Sequence, residues 1–258
     1  MPTRKSARKT VTREPTPDAI RIVPLYVSAA LAEPAAAAAQ LTYRNGPLLT
    51  AVEVCTIFWG AAWHNAPAAI LVGQLNAFFD AILTSALIDQ LGEYSVPGAA
   101  IGHGSRVTSS VLDTVPTTPS LTDQQLRDAL RSALPSLPAP TPNGLYSIFL
   151  PPNVAVVMDG GRSCQAFCGY HDAIDNQIFY AVLPYPGCSP CVGDLDEFDA
   201  LTSTASHELA EAITDPVPGT GWYDDTHGEV GDICAWRTKR LGDYVVQLEW
   251  SNAAQACT

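Results

Sequence analysis

The chain has 258 residues, 47% of them hydrophobic, and carries 14 basic against 26 acidic residues for a net charge of −12. That length buries a real core as one large domain or two small ones. The acidity argues against nucleic acid as a partner, because like charge repels a phosphate backbone.

Five basic residues (Arg4, Lys5, Arg8, Lys9 and Arg13) fall in the first fifteen positions beside a single acid, Glu14. The remainder therefore holds 9 basic and 25 acidic residues, a net −16. Residues 1–18 read as a disordered basic leader, without the apolar core of a signal peptide. Ala35–Ala39 is a short low-complexity stretch. Val52–Trp59, β-branched and aromatic, reads as a strand. Ala66–Leu91 reads as one long, largely buried helix, because Gln74, Asn76, Asp80, Asp89 and Gln90 interrupt it too often for a membrane span. Ile101–Leu112 holds one or two short strands around Gly102 and Gly104. Thr114–Ser120 is a Pro/Thr turn region, after which Thr122 caps a helix through Leu134. Four prolines make Pro135–Asn143 a loop. Leu145–Leu150, Val154–Met158 and Ile178–Leu183 read as strands, and Tyr244–Trp250 as a last one.

Between those strands lies Ser206-His207-Glu208-Leu209-Ala210-Glu211-Ala212-Ile213-Thr214-Asp215-Pro216. At about 100° per residue, Phe198, Leu201, Ala205, Leu209, Ala212 and Ile213 share one helix face, and His207, Glu211, Thr214 and Asp215 the other. Asp196 is placed to cap the start, and Pro216 stops the helix. His207 and Glu211, four apart, sit one above the other. Glu208 falls where an H-E-x-x-H metallopeptidase helix carries its general base. The pattern is thus H-E-x-x-E, with glutamate as the second metal ligand. Such a face is also what an ordinary solvated helix shows. A third ligand must come from elsewhere, and the Gly-rich run Gly219–Cys234 supplies Glu229 first, Asp232 second and His227 third. His64 and His103 read as structural.

Seven cysteines point to an oxidising compartment. Cys55, in an apolar run, reads as a buried small hydrophobe. The other six are disulfide candidates: Cys164 with Cys168, Cys188 with Cys191, and Cys234 with Cys257, among fifteen pairings. Two rivals stand beside this pairing, a four-thiolate zinc site from the first four cysteines and a redox role for Cys188-Ser189-Pro190-Cys191.

Six blocks in order carry a family resemblance. They are Asn45–Thr50 running on to Phe58-Trp59-Gly60, Asn143–Ile148, Phe167-Cys168-Gly169-Tyr170-His171, Ser206–Glu211, Gly228–Cys234 and Trp250–Ala254. Over roughly residues 40–258 the chain resembles the EXORDIUM-like, phosphate-induced protein family. That family's helix motif is similar to that of zincin metallopeptidases, and its plant members are described as extracellular and growth-related. The resemblance implies His207 and Glu211 as ligands, Glu208 as base and Glu229 or Asp232 as third ligand.

The expected fold is α+β, a zincin-like mixed sheet packed on helices. One catalytic unit spans 19–258, with an upper part to about 217 and a lower part over 218–258. The expected function is a zinc peptidase acting on peptide or protein, with one ion per chain. The ion activates water, Glu208 takes the proton, and Tyr223 or His171 stabilises the oxyanion. Two donated carboxylates weaken the Lewis acid, and such a set also suits harder cations such as Mn²⁺ or Ca²⁺. The alternative is a non-catalytic extracellular protein with a structural metal site and disulfides.

Overall fold

The computed structural model describes residues 21–26, 39–113, 115, 118–158 and 160–258. The basic leader and nearly all of the alanine-rich stretch lie outside the described residues. The fold is α+β. Its centre is a six-stranded mixed sheet of β1 (Ile22–Pro24), β2 (Ala51–Trp59), β3 (Gly102–Leu112), β4 (Gly144–Phe149), β5 (Phe167–Ile174) and β6 (Ile178–Leu183), in spatial order β1-β5-β6-β4-β2-β3. Strands β2, β3, β4 and β6 run parallel, whereas β5 runs antiparallel to β6 and β1 antiparallel to β5.

Both sheet faces are covered, so the parallel strands read as near-continuous apolar runs. Period-two alternation divides them. Val52, Val54 and Phe58 of β2 pack with helices α1 (Ala68–Ile82), α2 (Ala86–Leu91) and α4 (Glu197–Thr214). Cys55, Ile57 and Trp59 face α3 (Asp123–Ala133) through Leu126 and Leu130. Thr122 caps α3 as expected, and with Gln125 it closes a capping box.

The long helix expected over Ala66–Leu91 is two helices bent by 48°. Ser85 makes the break: its Oγ donates to Ile82 O and accepts from Leu87 N, capping α2. No single helix among the described residues is long and apolar enough to cross a membrane. The region expected to hold one or two short strands is the single 11-residue β3, with shifts in its register to β2 absorbing the irregularity. The last expected strand is cut short. Tyr244–Gln247 (β8) forms a hairpin with Thr238–Leu241 (β7), and Trp250–Ser251 pairs separately with Ala256–Cys257.

Three disulfides are present, Cys164–Cys188, Cys168–Cys191 and Cys234–Cys257. The third is as expected, but the two local staples are corrected. The helical turn Ser189–Val192 lies against the start of β5, so Cys188 at its N-cap and Cys191 within it each meet a cysteine from the strand side instead of each other. All four sulfurs are thereby used, which leaves neither a four-thiolate zinc site nor a Cys188–Cys191 redox pair. Cys55 is free and buried.

Candidate metal centre

Helix α4 starts where the Asp196 carboxylate accepts from Asp199 N, 2.8 Å, and the acids Glu197 and Asp199 suit its positive end. It ends at Asp215, one residue before Pro216. Its apolar side joins the core as the periodicity predicts. Its other side is not solvated: every residue from Ala200 to Thr214 is buried. Two layers cover it, strand β5 on one flank, and β8 with the loop from Gly219 to Cys234 on the other.

The covering layers bring the chemistry. Ser206 Oγ accepts from Gln247 N, 2.9 Å, which ties β8 to the helix. The Gln247 side chain donates to Gly231 O, 2.9 Å, and its Oε1 accepts from Trp236 N, 3.1 Å. The amide is thereby oriented, and Oε1 also faces His207 Nδ1 at 3.1 Å. This network assigns the proton to Nδ1 and leaves the Nε2 lone pair turned inward. Nε2 lies 2.9 Å from Glu211 Oε1 and 4.0 Å from Asp232 Oδ1, yet has no hydrogen-bond partner. Glu211 Oε1 accepts from Asp232 N, 3.1 Å.

A Cβ added at Gly231 would stand 2.8 Å from His207 Nδ1 and 3.0 Å from Glu211 Oε1. Only glycine lets the loop pass so close to the ligand pair.

His171, on β5, completes the other flank. Its Nε2 is 3.2 Å from Asp215 O, a carbonyl that only accepts, so Nε2 carries a proton. Its Nδ1 stands 3.2 Å from Glu208 Oε2 and 3.4 Å from Glu211 Oε2, and Nε2 is 3.5 Å from Glu229 Oε1. Asp215 anchors the loop, accepting from Gly219, Thr220 and Gly221 backbone amides at 2.6, 3.0 and 2.6 Å.

Six carboxyl groups thus crowd this interior: Glu208, Glu211, Asp215, Glu229, Asp232 and Glu249. Asp215 is satisfied by amides, but Glu208 Oε1, Glu211 Oε2 and both oxygens of Glu229 and of Glu249 are buried without a hydrogen-bond partner. An unpaired buried carboxylate costs several kcal/mol, so a pocket offering only protons distorts every titration. Burial pushes Glu229, Asp232 and Glu249 well above the usual carboxylate range. Glu208 rises to about 7, burial outweighing the hydrogen bond from His171. Glu211 is held at about 2, because His207 and His171 overcome its burial. With protons alone to meet the carboxylates, the imidazoles move the opposite way from burial's demand: Glu211 drives His207 up to about 10 by drawing onto it a proton that a cation at Nε2 would displace, and Glu229 with Glu208 and Glu211 drives His171 well above its normal value.

These donors fit a divalent cation. Ligand atoms on a tetrahedral ion of this size lie about 3.4 Å apart. In each of two trios, His207/Glu211/Asp232 and His171/Glu211/Glu229, the three residues offer ligand atoms that lie within 4.8 Å of one another.

The expected third ligands divide between the two trios. Asp232 stands with His207, and Glu229 with His171. His227 is elsewhere, its Nδ1 2.9 Å from Asp224 and its side chain partly exposed. Tyr223 is buried, paired in register with Thr42, with the Arg44 guanidinium 4.5 Å over its ring. His64 and His103 face Asp113 and Asp89 in exposed pairs.

Sequence reasoning placed His171 only as an oxyanion candidate, and passed over Gln247 and Glu249. The last two alternate along an otherwise apolar strand, which is the signal that could have found them. Strand β5 itself was not expected, because Gly169, His171 and Asp172 break its apolar run. The turn pair Asp175 and Asn176, both at φ 55, marks its end.

Strand β1 lies over the edge of β5, with Val23 opposite Gly169. A Cβ built on Gly169 would meet Glu208 Oε1 at 2.9 Å and Val23 Cγ2 at 3.4 Å. Val23 and the unpartnered oxygen of Glu208 therefore both pack against Gly169.

No family model matches the sequence, and no curated protein matches it. A solved structure described as a chaperone–substrate complex is similar at a TM-score of 0.31 and 15% identity, covering 66% of this chain. The chain spans only 26% of that structure's length. At this level the similarity establishes neither fold nor function.

Proposed function

We propose that the chain is a metal-dependent hydrolase of peptidase type, an extracellular EXORDIUM-like protein whose H-E-x-x-E helix carries the centre. The observation that supports it most is the inward lone pair of His207 Nε2, unpartnered and buried among Glu211 and Asp232. A bound divalent ion, zinc in this reading, supplies Lewis acidity to water and to a scissile carbonyl. Glu208 is the base. Its Oε2 lies 3.2 Å from His171 Nδ1, and its Oε1, buried without a hydrogen-bond partner, would take a proton from the attacking water and pass it to the leaving nitrogen. Tyr223 remains the proposed oxyanion donor. The three disulfides agree with an oxidising compartment.

Complete burial favours a second reading. His207, Glu208, Glu211 and Glu229 are all 0% exposed, as a structural ion on a non-catalytic protein would be. Glu208→Gln separates the two readings. The substitution keeps the shape and removes the base. For a hydrolase, hydrolysis of a quenched peptide library falls at least about 100-fold, the usual contribution of a general base, while ion content stays at the wild-type level. Ion content retained with no peptide turnover in the wild type either would leave the structural reading in place.

A further inference from the structure

We propose that the centre takes two divalent cations that share the Glu211 carboxylate. One sits among His207, Glu211 and Asp232, the other among His171, Glu211 and Glu229. The inference rests on the metal reading above and goes beyond its single ion.

The first trio uses Glu211 Oε1, which faces His207 Nε2 at 2.9 Å. The second uses Oε2, which faces His171 Nδ1 at 3.4 Å and has no hydrogen-bond partner. One carboxylate thus presents an oxygen to each side, as the bridging ligand does in sites whose ions stand about 3.5–4 Å apart. An ion confined to the His207 side would leave both Glu229 oxygens bare, and they are fully buried.

A proton on His171 does not fill the gap. Imidazolium has two N–H groups. The Nε2 proton goes to Asp215 O, and one on Nδ1 would go to Glu208 Oε2. Glu229 Oε1, although 3.5 Å from Nε2, makes no hydrogen bond to it. Charge points the same way. Six carboxyl groups face two imidazoles, and Lys239, the one lysine among the described residues, donates to Gln90 Oε1 at 3.4 Å and acts on Glu249 alone of the six. Two divalent ions neutralise four of those charges, and the Asp215 amides stabilise a fifth. The mixed imidazole and carboxylate donors suit zinc or manganese.

The full chain, purified without chelators and dialysed against Mn²⁺ or Zn²⁺, tests the proposal by metal-to-protein ratio. The expected ratio is two for the wild type and one for each of His171→Gln and His207→Gln, with unchanged circular dichroism. Because either variant could fail to fold, the wild type loaded with Mn²⁺ gives a second readout. Two ions on one carboxylate give a spin-coupled paramagnetic resonance spectrum in place of an isolated six-line signal. A ratio of one with an isolated signal overturns the second position and leaves the metal centre standing. A ratio of zero overturns both.

Discussion

Gln247 decides which nitrogen of His207 faces the carboxylates. Its own orientation is set by Gly231 O and Trp236 N, so it hands the imidazole a fixed acceptor. Outer partners of this kind are worth roughly 10–100-fold in metal affinity. Gln247→Leu keeps the volume and removes the acceptor. Competition with a fluorescent chelator should show affinity lower by about that factor at unchanged secondary structure, and unaltered affinity would deny Gln247 the role. His207 and Glu211 were legible because a helix makes spacing into geometry. His171 lies 37 positions before Glu208 on a different element, and nothing in local periodicity encodes that meeting. Asp232 and Glu229 could be nominated from a Gly-rich acidic run but not ordered, because their division between two trios depends on how the loop folds back over Gly231.

Among the elements, α4 was the most legible, with its apolar period, its Asp196 cap and its Pro216 stop. What the period could not show was that the polar face is buried, since that depends on β5 and β8. Strand β1 adds the outermost cover. Val23 is 2% exposed against Gly169 and the Cys168–Cys191 pair, Arg21 reaches Asp172 at 3.0 Å, and Trp236 Nε1 donates to Pro24 O at 2.8 Å. Three residues of ladder form a weak element, and such elements open locally at low free energy. Val23→Asp would bury a charge against Gly169, costing well over the 1.4 kcal/mol that corresponds to tenfold in opening. Removal of the bound ion by excess chelator, followed by stopped-flow absorbance, should accelerate at least about tenfold. If a folded Val23→Asp protein releases its ion at the wild-type rate, opening of β1 does not control release.

At the scale of the whole molecule, the disulfides brace both walls of the centre. Cys164–Cys188 and Cys168–Cys191 tie the start of β5, which carries His171, to the lead-in of α4. Cys234–Cys257 ties the Glu229–Asp232 loop to the end of the chain. Each closes a loop of 23 or 24 residues, for which chain entropy gives ~3 kcal/mol of stabilisation apiece. The sequence offered the number of cysteines but not their pairing, because the partners of Cys164 and Cys168 are chosen by the helical turn docked against the strand. Cys55 is outside this scheme. Its thiol is 2% exposed, and burial pushes it up to about 12, so at pH 8 almost none is thiolate. Thiolate is the form that reacts with alkylating reagents. The native protein should therefore take up no iodoacetamide at pH 8. Unfolding without reductant should expose one thiol, since an unfolded cysteine titrates near 8.5, and reduction should expose all seven. Proteolysis of the unreduced, alkylated protein should then give peptides linked Cys164 to Cys188 and Cys168 to Cys191. Three or more thiols before reduction, or Cys164 recovered linked to Cys168, would refute this bracing of the β5 wall.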